Sequence, residues 1–131
     1  VIYNFCYPIF MDSDSYFNID ETKCIDFIYK ETFYKNGKIA ERFIYLEGLK
    51  DGEWKQFYED GQDMVKCLYI NNQLQGHYIR YYQDGRKEFE GRYKNDLKDG
   101  VWKFYLPNGK VDYELEYDNG LLLTELQLED E

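Results

Sequence analysis

A step of 24 residues runs through this chain and constrains its fold more than any other feature. Asn36-Gly37, Asp60-Gly61, Asp84-Gly85 and Asn108-Gly109 put glycines at 37, 61, 85 and 109. Nine residues before three of them stands a second glycine (Gly52, Gly76, Gly100), and eight residues after each stands a tyrosine (Tyr45, Tyr69, Tyr93, Tyr117). No insertion breaks the register from about Lys30 to Tyr117. A period this short means small units that bury their apolar side chains only by stacking on their neighbours.

Each unit reads as strand, tight turn, strand, second turn. Asn-Gly and Asp-Gly supply the positive φ angles of a two-residue type I′ hairpin. The second connections, Glu47-Gly48, Asn71-Asn72, Asn95-Asp96 and Asn119-Gly120, use residues that tolerate left-handed backbone. Helical periodicity is absent, and β-branched and aromatic residues are enriched. The expected fold is all-β: a single-domain antiparallel β-meander of consecutive 24-residue hairpin repeats, forming an open, elongated, twisted sheet. Eight strands of ~7 residues, at ~3.3 Å per residue and ~4.8 Å apart, give a sheet of roughly 23 by 40 Å.

Strand parity assigns the faces. Trp54, Gln56 and Tyr58 share one side with Tyr78, Arg80 and Tyr82, then Trp102, Phe104 and Leu106. Val65, Cys67 and Tyr69 stack with Phe89, Gly91 and Tyr93, then Tyr113, Leu115 and Tyr117, as the packed columns. Phe33, Phe57, Tyr81 and Tyr105 lie on the other side of the first strands. On the second strands that opposite side passes from Ala40, Arg42 and Ile44 to Glu88, Glu90 and Arg92, then to Asp112, Glu114 and Glu116. It is expected to become acidic toward the C-terminus.

The ends depart from the pattern. Residues 1–27 read as an N-terminal cap or a degenerate repeat, with Ser13 in the turn-glycine column. Residues 28–121 hold four repeats, and 122–131 form a terminal strand or an acidic tail. Lys30 stands where Trp54 and Trp102 stand, so the first full repeat is expected to pack as an edge.

The Gly-x-Trp-x-x-Phe-Tyr-x-Asp-Gly-Gln run from Gly52 to Gln62 has copies at Gly76 and Gly100. With the intervening Tyr-x-Asn-(x)4-Gly segments, these residues resemble the MORN-repeat-variant family, which includes proteins commonly described as YwqK-type antitoxins. The likeness covers residues 28–121. It implies the repeat fold and points toward an immunity or antitoxin role, with no catalytic residue carried over.

The chemistry of known sites is missing from the pattern. His77 is the one histidine, placed where a solvated strand-end residue is the simpler reading. Serines are limited to Ser13 and Ser15, and no nucleophile elbow or phosphate loop occurs. Glu88 and Glu90 read as a solvated face rather than a glycosidase pair. The Asp60, Asp84 and Asn108 column has a sufficient backbone reason to exist without calcium. No enzyme activity, cofactor or metal is expected.

Composition adds the partners. With 26 acidic and 16 basic residues the net charge is −10, which argues against direct nucleic-acid binding and against an anionic membrane. Cys6, Cys24 and Cys67 form no pairing pattern, which suits reduced thiols and a cytoplasmic location. No stretch reaches the 18 consecutive apolar residues of a helical membrane span, and the first residues make a poor signal peptide. The resulting expectation is a non-catalytic immunity protein whose acidic face, Glu88, Glu90, Asp112, Glu114 and Glu116 with Tyr81 and Tyr105 nearby, binds the basic surface of a cognate protein toxin. The alternative is a structural or scaffolding module that binds other proteins, or itself through open edge strands.

Overall fold

A computed structural model describes residues 2–8 and 22–127, with side chains over residues 26–124. The described residues form eleven strands in one antiparallel sheet. These are β1 (Ile2–Pro8), β2 (Thr22–Phe33), β3 (Ile39–Leu46), the two-residue β4 (Leu49–Lys50), β5 (Gly52–Phe57), β6 (Asp63–Ile70), β7 (Gln73–Tyr81), β8 (Lys87–Lys94), β9 (Leu97–Tyr105), β10 (Val111–Asp118) and β11 (Leu121–Gln127). Spatial order follows chain order, with β4 pairing only β3, so the meander is unbroken and open at both ends.

One expectation about the ends is corrected, and one alternative is chosen. The first full repeat is no edge, because β1 pairs along β2 from Ile2↔Ile28 to Pro8↔Thr22. The C-terminal leucine run is a strand as far as Gln127, paired with β10. The Ser13 column and residues 128–131 lie outside the described residues.

The turn type at the Asn-Gly and Asp-Gly sites differs from the expected type I′. At the Asn-Gly and Asp-Gly sites only the glycine has positive φ, at 85° to 95°. Gly37 N–H donates to Tyr34 O and Tyr34 N–H to Lys38 O, which is a three-residue loop: a type I turn closed by a left-handed glycine. Pro107 sits at the first central position of the fourth such turn, where a fixed negative φ suits type I. True two-residue type I′ turns lie at the other edge, where both central residues are left-handed: Glu47-Gly48, Asn71-Asn72, Asn95-Asp96 and Asn119-Gly120.

Repeats are tied to each other along both edges. At the glycine-turn edge the hydroxyls of Tyr34, Tyr58 and Tyr82 donate to the carbonyls of Phe57, Tyr81 and Tyr105 at 2.5, 2.7 and 2.8 Å. At the type I′ edge the N–H groups of Asn72, Asp96 and Gly120 donate to Lys50, Leu74 and Lys98 carbonyls at 2.7, 3.0 and 2.8 Å. At position 106 the column holds Leu106 instead of a tyrosine.

The packed side is the expected one. Cross-strand register sets Trp54 beside Cys67, Cys67 beside Tyr78, and Tyr78 beside Gly91. Trp102 covers Gly91 and is 1% exposed, its Nε1 donating to Arg92 O at 3.1 Å. Tyr78, Phe89 and Tyr93 contact its ring in tilted and edge-on pairs, and Phe104 and Tyr113 continue the layer from Phe89. Val65 and Cys67 complete the buried set. A single-layer sheet buries little, so these large rings shelter one another laterally and supply most of the core.

Candidate functional site

The face opposite the aromatic layer holds the candidate residues. Its central row, read across β2 to β10, is Glu31, Arg42, Lys55, Lys66, Ile79, Glu90, Lys103 and Glu114. Below, it is the charged face. The row toward the glycine turns carries Phe57, Tyr81 and Tyr105, opposite Asp63, Lys87 and Val111.

Five of the seven expected residues share this face, and two are displaced from it. Between Arg80↔Phe89 and Tyr81↔Lys87 the ladder holds one extra residue, Glu88. That bulge turns its carboxylate onto Arg80 of the aromatic side, with Arg80 Nε to Glu88 Oε2 at 3.0 Å. Asp112 is likewise the extra residue between Phe104↔Tyr113 and Tyr105↔Val111. Ala40 and Met64 occupy the same bulge position in the earlier hairpins. Simple alternation therefore misplaces Glu88 and Asp112, and it also misses Asp63 and Lys87, which the bulge swings onto the charged face.

The remaining five lie on the C-terminal half of the face, where Glu90 and Tyr105 are bonded directly and the other three each have a partner of their own. Tyr105 donates to Glu90 Oε1 at 2.7 Å, and Lys87 Nζ meets Glu90 Oε2 at 2.6 Å. Burial, then the Glu90 carboxylate, pushes the Tyr105 phenol up to about 12. Partial burial raises Glu90, but the bonds from Lys87 and Tyr105 outweigh it and hold the carboxyl below its usual range. Glu114 lies 3.8 Å from Lys103, and Glu116 accepts from the Thr124 hydroxyl at 3.2 Å. Lys66 stands over the Tyr81 ring and pairs with Asp63 at 3.2 Å, and that hydrogen bond raises the Lys66 pKa.

The face is thus mixed in charge rather than acidic. Eight of the 26 acids lie in residues 1–21 and 122–131, which hold no Lys or Arg; residues 22–121 carry 18 acids and 16 bases. Sequence counting missed this because it scored a column without its cross-strand neighbours. It also missed that most of the exposed apolar side chains share this face. Leu49, Leu68, Ile70, Leu97, Val101 and Leu121 fall on it by register and are 37% to 66% exposed. Such an apolar strip, bordered by charge, is suited to protein contact.

His77 faces Arg92, which donates to its Nε2 at 3.0 Å. Two shallow depressions of about 320 and 330 Å³ flank it. No three His, Cys, Asp or Glu side chains among the described residues converge to hold a metal ion.

The profile of the family described as MORN repeat variant matches residues 50–71, 74–95 and 98–119, three segments at the same 24-residue step. The chain belongs to the MORN repeat variant family. Each match runs from near the start of a hairpin's first strand through the glycine turn to the first residue of the following type I′ turn. The MORN unit here is therefore the β5–β6, β7–β8 or β9–β10 hairpin with both turns. No curated protein and no solved structure matches the chain.

Proposed function

We propose that this MORN repeat variant chain is a non-catalytic protein-binding module that neutralises a protein toxin by covering it with the charged face. One observation carries the reading: the charged face combines an exposed apolar strip with the bonded Lys87–Glu90–Tyr105 group and with Glu114, Glu116 and Tyr81 on the same side. Apolar area supplies affinity, while ordered charges set orientation and partner choice. The toxin identity comes from the family resemblance rather than from the geometry. The partner is expected to be basic where it meets β8 and β10, and the complex to sit in the cytoplasm. No helix among the described residues is long and apolar enough to cross a membrane.

Affinity capture from host lysate, followed by co-expression of the captured protein, tests this. The expected result is one basic partner that arrests growth when expressed alone and ceases to do so when this chain is present. Capture of structural proteins whose expression is harmless would overturn the toxin reading and leave a scaffold.

A further inference from the structure

The charged face reverses its signs about β7. The column at 42, 66, 90 and 114 reads Arg, Lys, Glu, Glu, and the column at 39, 63, 87 and 111 reads Ile, Asp, Lys, Val. Register places Lys66 and Glu90 on opposite sides of Ile79, one strand away in each direction. Asp63 on β6 and Lys87 on β8 flank β7 at its Tyr81 end. The MORN units β5–β6 and β7–β8 thus carry opposite charges at equivalent positions, and the inversion is centred on β7.

A two-fold axis running along β7, between two stacked sheets, exchanges β6 with β8, β5 with β9 and β3 with β10. It sets Lys66 against Glu90 of the second copy, Asp63 against Lys87, and Arg42 against Glu114. Phe57 meets Tyr105, while Ile79 and Tyr81 meet themselves. Lys55 against Lys103 and Asp51 against Asp99 are like-charged registers, and within each copy Glu53 lies 3.4 Å from Lys55 and Glu114 3.8 Å from Lys103. Self-complementarity of this kind is what an isologous interface requires.

We propose that the charged face is the interface of a two-fold homodimer, with a second copy of this chain packed face to face about β7. From β3 to β10 the face measures about 29 by 23 Å, on the order of 700 Å² per copy, close to the ~800 Å² per partner of stable interfaces. The exposed leucines and Val101 then gain cover. The proposal rests on the charged face being a protein-contact surface and names its occupant in the free protein. A toxin's basic patch displaces Arg42, Lys55 and Lys66 of the second copy.

Light scattering on purified full-length chains tests the pairing. The wild type is expected to be a dimer at micromolar concentration. Lys66→Glu and Glu90→Lys each place like charges together twice per dimer and are expected to weaken association by about 100-fold. An equimolar mixture of the two variants re-forms a dimer with one copy of each, because both contacts between positions 66 and 90 again join opposite signs. The Lys66→Glu/Glu90→Lys double variant does the same alone. This recovery separates lost pairing from misfolding. A wild type that stays monomeric at several hundred micromolar, whether or not it neutralises a toxin, overturns the dimer; so do single variants that stay dimeric, or a mixture that stays monomeric.

Discussion

Trp102 lies flat on Gly91, so that a Cβ built at position 91 would fall among the indole ring atoms. The glycine has no turn to make and no positive φ to supply. Its role is to leave room for the largest buried side chain in the sheet. Gly91→Ala is expected to destabilise by roughly 3 kcal/mol, at the upper end of overpacking costs, because ring and backbone both hold their places. In a Trp102→Ala background the same change is expected to cost little. Urea unfolding of the four proteins in the cycle reads the coupling directly.

Column 47, 71, 95, 119 holds Glu, Asn, Asn, Asn, all at φ between 44° and 49°. Glutamate resists this left-handed backbone, whereas asparagine tolerates it. Glu47→Asn is expected to stabilise by about 0.5–1 kcal/mol, and Glu59→Asn, at a position without positive φ, to change stability by less than about 0.5 kcal/mol. Denaturant midpoints of the two variants check the difference.

Cys67 and Tyr105 make the fold sensitive to alkali. Burial pushes the Cys67 thiol from 9.0 to about 12, and burial together with Glu90 pushes the Tyr105 phenol from 10.0 to about 12. Both groups ionise first in the unfolded chain. Their stabilisation is therefore complete below pH 9 and is lost as pH rises from 9 to 12. Urea midpoints are expected to fall across that window, and less steeply in Cys67→Ala/Tyr105→Phe.

The same burial should protect Cys67 from alkylation. In a chain with Cys6→Ser and Cys24→Ser, iodoacetamide at pH 8 is expected to label the native protein only as fast as the sheet opens. Adding urea to the unfolding midpoint should raise the rate many-fold. Labelling at the rate of a free thiol in the native state would contradict the buried placement.

The sequence displays this architecture unevenly, for physical reasons. Glycine and tyrosine columns mark every hairpin because backbone φ and ring packing demand those residue types at fixed positions. Turn class is harder to read: Asn36-Gly37 suits a type I′ pair and a type I turn with a left-handed glycine equally, and only the Tyr34–Lys38 pairing decides between them. Bulges are harder still. Glu88 and Asp112 keep perfect alternation with Glu90 and Glu114 in the linear chain, and the extra residue exists only relative to the strand opposite. Charge fails for a related reason, since Glu90 and Glu114 read as an acidic patch until Lys87 and Lys103 are placed beside them. Tyr81 and Tyr105, assigned by parity on strands before the bulges, were legible.

The central claim is that contact is made by one face, not by net charge. It is tested by comparing two baits of equal charge in capture of the partner. One carries Glu90→Lys, Glu114→Lys and Glu116→Lys; the other carries Glu41→Lys, Glu47→Lys and Glu59→Lys, three acids off the charged face. Both are first shown to be folded by their urea unfolding. The first bait is expected to lose the partner that the wild type and the second bait retain. Equal retention by both baits, or equal loss from both, would contradict the assignment of the binding face.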